Sequence, residues 1–356
     1  MSTNKMNSRE RVLAALKKQP VDCIPYCELN VDAIVGLQTG LLMGKTPSID
    51  IPGILSNIRS GRDYLKATNV IDPVVSEMLQ RDNITFMNSL MGFENYNVYL
   101  LNPEQAHLHL SADGIIKTRD DIKDVKFNNI DDIIEDAKEF LKNKGDFAAC
   151  AEVYLGIDPV WHSMGFEDFS IALIEEPELV QEFMARVCGY FAEVAEELCK
   201  LDFDFIWAAD DIAYHHTTLF SPTVYRDVLL PYTRKVAEKI TKPWIYHSDG
   251  NLMPIWDDLI SQGMNAIHPL EPGSMDLKML RDQYKEKVTF VGGVALTILE
   301  GGTVEETIED TKNIIDLFKG KASYMLCTCN TVTPNVKPEN LKAMLETLRK
   351  LGGMDD

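Results

Sequence analysis

The segment WIYHSDGN, residues 244 to 251, runs from apolar residues into a polar junction that carries His247 and Asp249 two positions apart. Glu271 follows 22 residues after Asp249, and Cys327 and Cys329 lie farther along the chain. Imidazole, carboxylate and thiolate are the donors that zinc takes, and a catalytic zinc keeps three protein ligands and one open position. Side chains two apart at a strand end can turn toward one ion, because the chain leaves regular pleating there. The same residues also suit a plainer architecture: a hydrogen-bonding histidine at a strand end, a turn at Glu271-Pro272, and small core cysteines. No Cys-x-x-Cys pair separates the two alternatives.

A second group is AADDIAYHH, residues 208 to 216. Asp210 and Asp211 could serve as general acid or base, could orient a metal-bound histidine, or could cap a helix. His215 and His216 are adjacent, so in regular structure they point apart and at most one faces a shared site. Glu28 and Glu152 are further acid/base candidates, and equally suit turns. VGGVALTILEGG, residues 291 to 302, holds two Gly pairs but neither a P-loop lysine nor dinucleotide spacing, so no nucleotide site is expected.

These residues fall at the ends of short apolar segments. Strands are expected at 23–26, 147–154, 203–208, 243–246, 266–269, 288–292 and 323–326. Amphipathic helices are expected at 8–18, 130–142, 169–200, 223–240, 253–261, 276–283, 304–318 and 339–351. Ser221-Pro222 supplies a capping hydroxyl followed by proline at the first helical position. From about residue 145 the strand–helix alternation implies a parallel sheet buried on both faces. Seven strands plus one still to be located fit an α/β fold of the (β/α)8 barrel type, a single domain over 1–356 with an N-terminal helix. In such a barrel the chemistry gathers at the strand C-termini. That expectation puts Cys27, Glu28, Asn30, Glu152, Tyr154, Asp210, Asp211, His215, His216, His247, Asp249, His268, Glu271, Cys327 and Cys329 around one mouth. HLHLSADGIIKTR, residues 107 to 119, reads as a hairpin insertion across one end, with His107 and His109 at solvated strand positions.

Composition narrows the partners. A net charge of −20 disfavours nucleic acid and anionic membrane surfaces, and makes a polyanionic substrate less natural without a local basic pocket. No run of about 18 apolar residues is present, so no membrane span is expected. The first twenty residues lack the apolar core of an export signal and read as a short helix stopped by Pro20. Seven scattered cysteines are then expected as reduced thiols in a cytoplasmic protein.

NSRERVLAALKKQPVDCIPY resembles the N-terminal signature of the uroporphyrinogen decarboxylase superfamily. DDIAYHHTTLFSPTVYRDVLLPYTRKV, residues 210 to 236, and TPNVKPENLKAM, residues 333 to 344, resemble its middle and C-terminal signatures. The resemblance covers most of the chain and implies a (β/α)8 barrel; it points only weakly to a homodimer. True decarboxylases of the superfamily bind an octacarboxylate and carry an arginine-containing motif after the first strand. Here that loop is YCELNVDAIVGL, with Glu28 and no arginine, and burying an acid beside a polyanion is unfavourable.

The other branch that the resemblance implies comprises zinc- and corrinoid-dependent methyltransferases. Their pattern of His-x-Cys, an acid on the next strand and a late Cys maps onto His247, Glu271 and Cys329 as metal ligands, with Cys327 offset by two. Asp249 stands where relatives place the first thiolate, and either ligates or supports a ligand. Replacing sulfur by oxygen makes a harder, more electrophilic zinc, suited to an ether or alcohol oxygen. The expected activity is therefore transfer of methyl from a small O-methylated substrate, such as a methoxylated aromatic, to the Co(I) corrinoid of a separate protein. Asp210, Glu152 and Asp249 are the expected catalytic residues. The direction of transfer, including delivery to a thiol, stays open at this level.

Overall fold

A computed structural model describes residues 5–59, 61–87 and 114–353. The 107–119 insertion falls largely outside the described residues, and His107 and His109 are not among them.

Seven parallel strands form one curled sheet: β1 (Asn83–Phe86), β2 (Ala148–Tyr154), β3 (Phe205–Ala209), β6 (Trp244–His247), β7 (Ala266–Leu270), β8 (Thr289–Val294) and β9 (Tyr324–Thr328), adjacent in that order. The small antiparallel pair β4 (Ala213–Tyr214) and β5 (Thr217–Thr218) sits in the loop after β3. The segment around Tyr26 occupies the eighth place, between the two edge strands. Leu326 donates its amide to Pro25 at 2.9 Å, Cys27 donates to Leu326 at 3.0 Å, and Asp82 donates to Tyr26 at 2.8 Å. The sheet therefore closes on itself as the (β/α)8 barrel expected from the βα rhythm. The strand missing from the sequence pattern is β1, whose four residues follow directly on a long helix, Gly61–Leu79.

Strand alternation sorts the two faces of the sheet. Cys27, Ala148, Cys150, Phe205, Trp207, Ile245, Ala266, Val291, Met325 and Cys327 point inward and fill the barrel. Val12, Ala15 and Leu16 of the N-terminal helix Ser8–Leu16 join the same cluster and plug the end where the strands begin. Thr289 and Ser323 donate their hydroxyls to the Ala15 carbonyl at 2.6 and 2.7 Å, and Arg11 pairs with Asp82 at 2.6 Å. With that end stoppered, the strand C-termini form the accessible mouth.

The helix expected over 169–200 is two helices, Phe166–Glu175 and Pro177–Cys199. Pro177 has no amide hydrogen to continue the first ladder but suits the first turn of a new helix. Ser221 caps Pro222–Val224 as expected, its hydroxyl accepting the Val224 amide at 3.2 Å. No described helix is long and apolar enough to cross a membrane.

Candidate functional site

The inward parity of the strands carries past their ends. Phe205 and Trp207 face inward, so Asp211 continues that face while Asp210 falls on the opposite one. Ile245 faces inward, and His247 and Asp249 follow at the same parity. Because β3 and β6 are neighbours, with Ala209 opposite His247, these three side chains converge. Among the described residues, Asp211, His247 and Asp249 are the group whose donor atoms all lie within 4.8 Å of one another.

His247 is buried, with 5% of its surface exposed. Its Nε2 lies 3.6 Å from Asp211 Oδ1, too far for a hydrogen bond but close to the roughly 3.3 Å that separates two donors on one tetrahedral zinc. Asp211 Oδ1 accepts the Asp249 amide at 3.1 Å, and Asn330 donates its side-chain amide to Asp249 Oδ2 at 2.5 Å. Asp249 Oδ1 is buried and has no hydrogen-bond partner. Burial, then the charges of Asp211 and Glu271, push the Asp249 carboxyl well above the usual carboxylate range. A bare buried oxygen among crowded carboxylates and an imidazole suits a divalent cation, which would relieve the repulsion, so the residues present fit a zinc ion.

Glu271 and Cys329 reach the same rim without joining that tight group. Glu271 Oε2 accepts the Gly250 amide at 3.1 Å. Its Oε1 lies 3.7 Å from the Nδ1 of His215, itself exposed, so that histidine turns toward the rim. Cys329 follows β9, donates its thiol to the Leu270 carbonyl at 3.2 Å, and is pushed by burial well above the usual thiol range. Glu152, on β2 opposite Trp207 and at the inward parity of Cys150, is buried inside the barrel below the rim.

Asp210 takes the helix-end position that the sequence offered beside an acid/base role. Its Oδ1 accepts the Asp158 amide at 2.7 Å at the start of the helix Ile157–Met164, where the N-cap position is Gly156 and offers no side chain. Burial holds its carboxyl well above the usual range against these amides. It anchors a helix, and Asp211 is the member of the pair that faces the mouth. Asn330 and the pairing of Asp211 with Asp249 were not anticipated. The inward parity of Phe205 and Trp207 was the available signal for Asp211.

Beneath His247 runs a chain of buried polar groups. His247 Nδ1 and His268 Nδ1 are 2.7 Å apart, and His268 Nε2 is 3.1 Å from Cys327 Sγ. Cys327 Sγ is 3.0 Å from Glu28 Oε2, which also accepts the Thr328 hydroxyl at 2.9 Å, while Glu28 Oε1 accepts the Thr328 amide at 2.9 Å. Glu28, His268 and Cys327 are all fully buried. Burial holds His268 well below the usual histidine range, and so neutral. Burial likewise raises the Glu28 carboxyl to about 7, against the hydrogen bonds from Cys327 and Thr328. Cys327 thus serves this chain, and Cys329 is the thiol at the rim.

The profile of the uroporphyrinogen decarboxylase (URO-D) family matches residues 161–351. The chain belongs to the URO-D family. No curated protein matches it. Among solved structures, this URO-D family chain is similar to a methyltransferase from Methanosarcina mazei, with a TM-score of 0.70 and 18% identity over 97% of this chain and 99% of that one. It is also similar to a B12-independent methionine synthase from a Shewanella species, with a TM-score of 0.52 and 14% identity over 92% of this chain and 98% of the other. A putative B12-independent methionine synthase from Listeria monocytogenes gives 0.52 at 10% identity, over 94% and 99% of the two chains. At these identities the likeness shows a shared fold.

Proposed function

We propose that this URO-D family protein is a zinc-dependent methyltransferase. It moves a methyl group from a small O-methylated substrate, such as a methoxylated aromatic, to the Co(I) corrinoid of a separate protein. The observation that carries the reading is the cluster of Asp211, His247 and Asp249 at the barrel mouth, whose ligand atoms lie within 4.8 Å of one another, with Asp249 Oδ1 buried and without a hydrogen-bond partner. The barrel shared with a protein described as a methyltransferase supports it.

His247 through Nε2, Asp211 and Asp249 are the residues that would hold zinc, with Cys329 and Glu271 on the same rim as further donors. Zinc held by this nitrogen and oxygen set would supply Lewis acidity toward an ether oxygen, stronger than two thiolates would leave it. Asn330 fixes the Asp249 rotamer, leaving one oxygen free to turn inward. Glu152, buried below the rim, would hold or supply the proton for the departing oxygen. Asp210, committed to the helix that starts at Ile157, keeps that wall in place. Transfer needs a near in-line approach of donor and acceptor, so the mouth must admit the corrinoid protein.

The acids at the mouth argue against the decarboxylation that the family's name describes. Asp211, Asp249 and Glu271 would all repel an octacarboxylate, and Arg81 is fully buried and paired with Asp72 at 2.5 Å.

Elemental analysis of protein produced with zinc present should find about one zinc per chain. A His247→Ala/Cys329→Ala variant should lose it. The visible spectrum of a Co(I) corrinoid protein should change when a methoxylated aromatic is added with the enzyme. Folded, metal-free wild-type protein, or reaction with thiols and methylamines but not ethers, overturns the reading.

A further inference from the structure

The buried chain from His247 to Glu28 permits two hydrogen-bond directions, and they have opposite consequences at the rim. In the first, His247 donates from Nδ1 to His268 Nδ1, His268 donates from Nε2 to Cys327, and the Cys327 thiol donates to Glu28 Oε2. His247 Nε2 then presents its lone pair toward Asp211 and Asp249. In the second, every link reverses: Glu28 donates to Cys327, Cys327 to His268 Nε2, and His268 Nδ1 to His247 Nδ1. His247 Nε2 is then the protonated nitrogen and can ligate nothing. The first direction has three protons along the chain and the second has four, so a proton taken at His247 Nε2 and passed from link to link ends on Glu28.

We propose that Glu28, acting through Cys327 and His268, is a positioning residue that holds His247 in the tautomer whose Nε2 lone pair faces Asp211 and Asp249. The far end of the chain sets the direction. Thr328 donates both its amide and its hydroxyl to Glu28, at 2.9 Å each, so the carboxylate is built as an acceptor. Once ionised, Glu28 has no hydrogen to send back, and each link then points toward it. The near end leaves the outcome to the chain, because 3.6 Å between His247 Nε2 and Asp211 Oδ1 is too long for a hydrogen bond to fix the ring from the mouth. His268, Cys327 and Glu28 are sealed from bulk solvent. The inference rests on the zinc reading for its purpose, though not for its geometry. Partners behind a ligating histidine change metal affinity by about 10–100-fold.

The experiment uses the full chain with 15N-labelled histidine, without metal, at a pH well above 7 where Glu28 is ionised. Coupling across the hydrogen bond between the two Nδ1 nitrogens identifies the His247–His268 pair, and nitrogen shifts report which atoms carry hydrogen. Wild-type protein should show His247 protonated at Nδ1. In Glu28→Gln, the Thr328 amide claims the side-chain oxygen and the new amide nitrogen donates to Cys327. The chain should then reverse, with Nε2 of His247 protonated and zinc affinity, measured against a chelator, weakened about 10–100-fold. Cys327→Ala cuts the chain and should leave His247 a mixture of tautomers, which covers the case in which Glu28→Gln fails to fold. Wild-type His247 protonated at Nε2, or an unchanged tautomer in both variants, overturns the proposal. If the tautomers behave as stated but wild-type protein takes up no zinc, the relay stands and the zinc reading falls. If zinc binds wild type and Glu28→Gln equally, the relay falls and the zinc reading stands.

Discussion

Asp211 accepts the backbone amide of Asp249 at 3.1 Å, so the carboxylate that lines one side of the mouth also fixes the loop that carries the next one. The amide locks one Asp211 oxygen, Asn330 locks one Asp249 oxygen, and the remaining Asp249 oxygen is left buried and bare beside His247. An arrangement that leaves an anionic oxygen without a donor is costly unless a cation completes it.

Asp249 is accordingly the residue whose chemistry sets the character of the site. Asp249→Asn should weaken zinc binding at least about tenfold, because a neutral amide is a poor ligand for a hard cation. Asp249→Cys should bind zinc at least as tightly as wild type but shift methyl transfer from ethers toward thiols. A donor panel with the corrinoid protein reads both. Unchanged ether preference in Asp249→Cys would show that the oxygen ligand does not govern donor choice.

Asp210 and Asp211 are neighbours with separable roles. Asp210→Ala strips acceptors from buried amides at the start of the helix Ile157–Met164 and should cost about 1–3 kcal/mol in urea unfolding. Asp211→Ala should cost less stability but lower zinc affinity and turnover. The reverse pattern would reassign the pair.

Glu28 gives the metal-free protein a pH signature. Its carboxyl is raised from the ordinary 4.5 to about 7, chiefly by burial. A raised carboxyl contributes stability that is fully present below pH 4.5 and is lost as pH climbs through 7. At about 1.4 kcal/mol per pH unit, the rise corresponds to roughly 3 kcal/mol. Glu28→Gln cannot ionise, so its stability relative to wild type should grow by up to that amount between pH 5 and pH 8. Urea unfolding at several pH values reads the difference, and a flat difference would place the ionisation of Glu28 elsewhere.

Gly250 ends the segment that carries His247 and Asp249. Its φ is +84°, and a Cβ there would come within 2.6 Å of the Tyr214 backbone. Gly250→Ala should cost more than the roughly 1–2 kcal/mol of the left-handed conformation alone. It should also disturb zinc binding, because the Gly250 amide holds Glu271. A variant with wild-type melting and wild-type zinc content would show that this turn is tolerant.

The sequence by itself determined the alternation of strands and helices, the barrel, and the placement of His247, Asp249, Glu271 and Cys329 at the ends of three of its strands. Those features depend on local periodicity, which is written along the chain. Strand β1 escaped because Asn83 and Thr85 interrupt the short apolar run that marks the other strands in the sequence. Only the tertiary structure decided which aspartate of the 210–211 pair faces the mouth, that Asn330 steers Asp249, and that Glu28 lies at the end of a chain through Cys327 and His268. Glu28 and Cys327 are 299 residues apart and meet because the Tyr26 segment pairs with β9 to close the barrel. The Nδ1 contact between His247 and His268 depends likewise on the register that sets those residues opposite each other on β6 and β7. Register between strands is fixed by packing across the whole sheet, and periodicity within any one strand carries no record of it.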